Sequence, residues 1–289
     1  MVVTLAGGCR VSHMHDGEPL VEGTLRVWPQ IGRATGAQAI SLRIMEFGTG
    51  MSPTIQNGNC DQVLYVIHRD REAVEENSQG KARSAPPVEQ NSLESDYPEG
   101  VQETSRATEI ILNHNRFLIA NGTGIYIRPN QTFAINNFSG HVLSIVSSQC
   151  PDPDREIHFA VLSRIDAKPS AINPPPIVRL ADQKAQPTAD RWYRVLIDER
   201  AGSAQVTQFV GSIPSGRAPD HFHNYEEVLF ILQGEGRMWA GETNTPIGVG
   251  SCIYLPKGQV HCVENTGDGE LRLLGVFYPA GSPSVRYEV

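Results

Sequence analysis

What most constrains this chain is that it repeats itself. Gly36-Ala37-Gln38-Ala39-Ile40-Ser41 matches Gly202-Ser203-Ala204-Gln205-Val206-Thr207 at an offset of 166. Asp61-Gln62-Val63-Leu64-Tyr65-Val66-Ile67 matches Glu226-Glu227-Val228-Leu229-Phe230-Ile231-Leu232 at an offset of 165. Further on, Tyr126-Ile127-Arg128-Pro129 matches Ile253-Tyr254-Leu255-Pro256, where the offset has fallen to 127. Whatever fold one half adopts, the other is expected to adopt too. The matches lie within short runs of Val, Ile, Leu, Phe and Tyr separated by Gly, Pro, Asn or Asp, such as 39–47, 62–67, 141–147, 205–210, 228–232 and 271–278. Helical periodicity is almost absent, and many short strands at this spacing read as a sandwich or barrel. Gly 27 and Pro 20 in 289 residues exceed the ~12% average for the pair, as a turn-rich all-β chain requires.

The fall in offset places extra residues in the first half. The stretch 71–108 supplies them: it is rich in Glu, Ser, Gln, Asn and Pro and poor in β-branched and aromatic residues. Such a composition buries too little surface to order itself, so a long mobile loop between two strands is expected, with an ordered lid over a pocket as the alternative. Between the halves, Lys168-Pro169-Ser170-Ala171-Ile172-Asn173-Pro174-Pro175-Pro176 and the polar residues up to Asp190 read as an extended spacer. The expected organisation is a first domain over 1–168 carrying the insertion, a Pro-rich linker over 169–190, and a second domain over 191–289.

Charge excludes some partners. Lys+Arg total 24 against Asp+Glu 32, a formal net charge of -8, whereas a phosphate backbone selects clustered cations. Neither nucleic acid nor an anionic membrane surface is expected as a partner. No apolar run approaches the ~20 residues of a spanning helix. The opening Met1-Val2-Val3-Thr4-Leu5-Ala6-Gly7-Gly8-Cys9 has no basic leader and is short for a signal peptide. Cys 5 is an odd, scattered number that builds no disulfide framework, so reduced thiols and a cytoplasmic location are expected.

The chemistry-bearing residues cluster in the second half. Gly216 precedes His221-Phe222-His223, Glu227 follows four residues later, and Gly234 comes after it. Gly250 then leads through Pro256-Lys257-Gly258 to His261 and Asn265. On a strand, residues i and i+2 project from one face, so His221 and His223 point together, and Glu227 keeps their parity if the strand resumes after a turn. The Pro256-Lys257-Gly258 turn is expected to fold His261 back over them. Three imidazoles and a carboxylate converging in a small barrel suit one divalent first-row metal ion and leave two positions of an octahedron open.

The spacing G-x4-H-x-H-x3-E-x6-G followed by G-x5-P-x-G-x2-H-x3-N, over 216–265, is similar to the two motifs of the cupin superfamily. The first spacer is four residues where the family usually has five. With the internal repeat, the whole chain resembles a bicupin. The resemblance implies an all-β fold of two tandem cupin barrels, of the double-stranded β-helix or jelly-roll type. It implies His221, His223, Glu227 and His261 as metal ligands and Glu227 as the catalytic base.

Projected through the offsets, the first half offers Gln56, Gly58, Gln62 and Ala134 at the four positions, so its barrel reads as a metal-free vestige. His13 and His15 form an isolated H-x-H, read as part of a surface strand or tail. Cys252 and Cys262 flank Lys257 symmetrically and are expected to face each other across a hairpin, turned away from His261.

Three functions are compatible. The first is an oxygenase of the dioxygenase type acting on a small organic substrate, with Fe(II) or Mn(II) preferred by the carboxylate and dioxygen as a second ligand; Ni, Co, Zn and Cu are compatible with the same donors. The second is a non-oxidative isomerase, lyase or decarboxylase that uses the ion as a Lewis acid. The third is a non-catalytic binder of small molecules. A homodimer is compatible with all three.

Overall fold

A computed structural model describes residues 2–67, 108–153, 157–160, 172–285 and 287–288. The stretch 71–108 lies outside the described residues apart from Thr108. The chain folds into four antiparallel sheets, two to each half, and no helix among the described residues is long and apolar enough to cross a membrane. The second half pairs an eight-stranded sheet, centred on Glu226–Gln233 and Leu271–Tyr278, with a six-stranded sheet centred on Glu235–Ala240 and His261–Asn265. The first half repeats this with a seven-stranded sheet around Asp61–Ile67 and Leu143–Cys150 and a six-stranded sheet around Glu109–Leu112 and Thr132–Asn137. The fold is therefore all-β, two tandem double-sheet barrels.

The near-continuous apolar runs have a physical cause in burial on both faces. In Glu226–Gln233, Leu229 and Ile231 enter the core between the two sheets of the second barrel. Val228 and Phe230 point the other way, into a cluster shared with Tyr65, Trp28 and Ile44 of the first barrel. Asp61–Ile67 divides likewise, with Leu64 and Val66 in its own core and Val63, Tyr65 and Ile67 in the shared one. A strand of period two that is covered on both faces has no polar positions to alternate with. Each such side chain contributes about 2 kcal/mol on burial, so the contact between barrels is a third core.

Polar contacts lock that contact. Glu226, 7% exposed, accepts hydrogen bonds from the backbone N–H groups of Gln38 at 2.8 Å and Ala39 at 2.6 Å and from the Tyr254 hydroxyl. The donors on Gln38 and Ala39 lie in the repeated Gly36–Ser41 segment of the other barrel. Asp61, at the matching position of the first barrel, accepts from the Tyr126 hydroxyl.

Strand membership does not follow chain order. Arg10–His13 precedes the first barrel but pairs with Ser251–Leu255 at the side of the second. Ile177–Arg179 precedes the second barrel and pairs with Thr123–Ile127 of the first. Each barrel thus lends its leading strand to the other, which places His13 in the second barrel's large sheet.

Register corrects two expectations. Gln62 pairs with Ile127 as Glu227 pairs with Leu255, so Tyr126 is the counterpart of Tyr254, one residue away from the sequence match. Ile55 pairs with Phe133 as His221 pairs with His261. The first barrel therefore carries Ile55 and Phe133, not Gln56 and Ala134, where the second has these two histidines. Short β repeats tolerate a one-residue slip in sequence, whereas a ladder does not, because a slip turns every side chain to the opposite face. Cys252 and Cys262 do not face each other either. Ser251–Leu255 lies in the eight-stranded sheet and His261–Asn265 in the six-stranded one, so the turn at 256–258 crosses between sheets instead of closing a hairpin. All five cysteines are buried thiols outside disulfides.

Candidate functional site

The turn that crosses between sheets builds the site. It carries the chain from the large sheet to the small one, where His261 pairs directly with His221. His223 lies in the segment leading to Glu226–Gln233 and its carbonyl accepts the Gly258 N–H at 2.8 Å, which ties the H-x-H segment to the turn. Glu227 rises from the large sheet between Leu255 and Phe277. At the far end of the strand that bears Glu227, Gly234, at φ +81, lets the chain pass close to the Glu270 carbonyl oxygen, which a Cβ would approach to 2.9 Å. Asn265 Nδ2 ties two loops by donating to the carbonyls of Ile213 at 2.9 Å and Gly269 at 2.7 Å.

The structure brings the three imidazoles together and sets Glu227 beside one of them. One ring nitrogen from each of His221, His223 and His261 lies within 4.8 Å of the others, and His223 Nε2 lies 3.4 Å from Glu227 Oε2. Two of the imidazoles are oriented by backbone carbonyls. Nδ1 of His221 lies 2.9 Å from the Pro219 oxygen, and Nδ1 of His261 lies 2.8 Å from the Gln259 oxygen. When Nδ1 carries the proton for such a bond, Nε2 presents its lone pair, which is how metal-binding histidines are held. His223 is oriented by stacking: its ring lies 4.8 Å from that of Tyr225 at 9°, and Tyr225 lies 4.6 Å from Phe277 at 23°. The sequence motif does not single out Tyr225 or Phe277; the i+2 relation of Tyr225 to His223 was the available signal.

Burial sets the electrostatics. Glu227 is 5% exposed and its carboxyl is pushed up to about 8 by loss of water. His261 is pushed down to about 4 by burial and then by His221. Three imidazoles, that of His261 held neutral by burial, and a carboxyl awaiting a counter-charge make a donor set that fits a divalent first-row ion, with His221, His223, Glu227 and His261 as the residues that would hold it. Affinity should therefore depend on pH in one direction. Below about 8 an ion must displace the Glu227 proton, so affinity should rise about tenfold per pH unit from 6 to 8 and level off above it. Titrating metal-stripped protein with Mn(II) at pH 6, 7, 8 and 9 measures this; an affinity flat across that range would show that Glu227 releases no proton to the ion.

The cluster lines a cavity of about 120 Å³ whose walls include Phe209, Leu229, Leu255, Val263 and Leu273. Arg191 is also in the lining, with Nε 2.9 Å from Asp190 Oδ1. Neither Arg191 nor Phe209 was legible as part of the site, because the strands that bear them carry no metal-binding motif.

Residues 209–277 match the family model described as a cupin domain. A 70-residue stretch is 34% identical to auxin-binding protein 1 of Arabidopsis thaliana, covering 21% of this chain and 35% of that protein. A 57-residue stretch is 37% identical to an oxalate-binding protein of Thermotoga maritima, covering 19% of this chain and 47% of that one. Both alignments span less than half of the relative's length. Among solved structures, the formate complex of Lactobacillus farciminis oxalate decarboxylase superposes with a TM-score of 0.66 at 12% identity, covering 94% of this chain and 87% of that chain. At that identity the likeness shows a shared fold, extending over both barrels.

Proposed function

We propose, the chain being a cupin-superfamily protein with two tandem barrels, that its second barrel is a metal-dependent active site acting without oxygen on a small organic acid. The observation that carries the reading is the cavity itself. Three imidazoles and Glu227 meet in a space of about 120 Å³ that also includes Arg191. That volume admits a substrate of a few heavy atoms, well below the 300–1,000 Å³ of sites for larger ligands. A guanidinium in the wall suits a carboxylate. The names of two similar proteins, an oxalate-binding protein and an oxalate decarboxylase, support the same substrate class and turn the emphasis from dioxygenase chemistry to decarboxylase or isomerase chemistry.

A bound Fe(II) or Mn(II) would supply Lewis acidity at a substrate oxygen. The protein's part is positional and protonic. Arg191 orients a carboxylate, the apolar walls exclude water, and Glu227 holds or releases a proton beside the cluster. The aromatic stack behind His223 keeps that imidazole in place. Changing Glu227 to Gln keeps the shape but removes the charge and the proton. It should retain a substantial share of the metal while turnover falls at least about 100-fold; unchanged turnover would reduce the carboxylate to a structural ligand.

An oxygenase is the second reading, favoured by the water-excluding wall of Phe209, Leu229 and Leu273, which would protect oxygen chemistry from side reactions. Carbon dioxide release and oxygen uptake, measured in parallel on Mn(II)- and Fe(II)-loaded full-length protein with oxalate, β-keto acids and β-diketones, separate the two. Carbon dioxide without oxygen consumption supports the first reading. Stoichiometric oxygen uptake supports the second, and a bound metal without any turnover leaves a binding protein.

A further inference from the structure

We propose, resting on the reading that the second barrel acts on a small organic acid, that Phe209 is its specificity-determining residue. The ring, seated over Gly275, limits the acid to about the length of oxalate and turns longer acids away. The ladder places this pair beside the metal-binding cluster. In the large sheet Glu227 pairs with Phe277; two residues on, Leu229 pairs with Gly275, which pairs in turn with Phe209. Residues two apart on a strand share a face, so Leu229, Gly275 and Phe209 form the row next to Glu227. Leu229 and Phe209 line the cavity together with Glu227.

The ring and the glycine fit each other. A Cβ on Gly275 would lie 2.3 Å from Phe209 Cε1 and 2.4 Å from Cζ, so the outer edge of the ring takes the room of any side chain at 275. Gly275 has no left-handed φ; the backbone does not require glycine there, and the close approach of the ring does. Gly211, two residues beyond Phe209, is different, since a Cβ there would meet the ring at an ordinary 3.5 Å. The first barrel shows that the two residues go together. Leu64, Ser147 and Arg43 pair there as Leu229, Gly275 and Phe209 do in the second. Where the glycine gives way to serine, the phenylalanine gives way as well.

The ring is also held on its other side. Phe277 lies 6.0 Å away at 56° and is itself stacked on Tyr225, which stacks on His223. Phe209 therefore belongs to one aromatic series that ends at a candidate metal ligand, and it is buried within it. A ring fixed in this way is a wall that yields little. Such apolar walls discriminate by length, one methylene in a hydrophobic pocket changing binding about 10–200-fold. In a cavity of about 120 Å³, the position of this ring decides which acids fit beside the ion.

The test is calorimetric titration of oxalate, malonate and succinate into full-length, Mn(II)-loaded protein freed of unbound ion, with metal content measured before and after. The wild type should bind oxalate at least about tenfold more tightly than succinate. Phe209→Ala should shift that ratio at least about tenfold toward succinate, with the metal content still near one per chain. If Phe209→Ala does not fold, Phe209→Leu decides, since leucine keeps buried bulk but lacks the ring edge over Gly275; it should shift the ratio in the same direction. A ratio unchanged in the folded variant, or a wild type that binds succinate as well as oxalate, overturns the role of Phe209 and leaves the small-acid reading in place. Failure of all three acids to bind wild type and variants overturns both.

Discussion

His261→Ala should weaken metal binding in the second barrel, lowering the ion content below one per chain and the affinity by at least about tenfold. The argument rests on position. His261 is directly across the ladder from His221, 3% exposed, with Nδ1 engaged by the Gln259 carbonyl, which leaves Nε2 as the atom turned to the cluster. Two imidazoles and Glu227 would remain, a set that can still hold a first-row ion but with one donor fewer and so more weakly. The first barrel cannot compensate, since Ile55, Gly58, Gln62 and Phe133 stand at its corresponding positions. Elemental analysis of protein purified without added metal measures both effects. Two ions per chain in the wild type would reveal a site elsewhere in the chain, and unchanged affinity in His261→Ala would remove His261 from the ligand set.

The neighbouring acidic residues should behave oppositely. Glu226→Ala should cost about 3 kcal/mol, because it leaves two backbone N–H donors of the other barrel and the Tyr254 hydroxyl without their charged acceptor. For a chain of this size that is a fall of roughly 6–12 °C in melting temperature. Metal content should stay near one per chain, since Glu226 faces the barrel contact and not the cavity. Glu227→Gln should do the reverse, with little change in melting temperature for the metal-free protein but impaired turnover. Thermal scans at a fixed rate, with metal content measured on the same samples, test the pair. Equal thermal losses in the two variants would refute the division of roles.

That division also marks where reading the sequence stops. The repeat, the short apolar runs and the turn residues determined an all-β fold of two similar barrels, because period-two burial and Gly/Pro punctuation are local properties. The spacing of His221, His223, Glu227 and His261 marked a candidate cluster in the sequence, but His223 lies just outside a strand and His261 on the opposite sheet from Glu227, so their approach depends on the turns and not on strand parity. It was tertiary structure that sent Ser251–Leu255 and His261–Asn265 to opposite sheets, parting Cys252 from Cys262, and that lent Arg10–His13 and Ile177–Arg179 across the barrels. Sheet membership depends on which edge a strand finds, and that edge lies far away in sequence. The contact of Phe209 with Gly275 was hidden for a related reason. The two residues come from strands far apart in the chain, and only the ladder that aligns those strands sets the ring over the glycine.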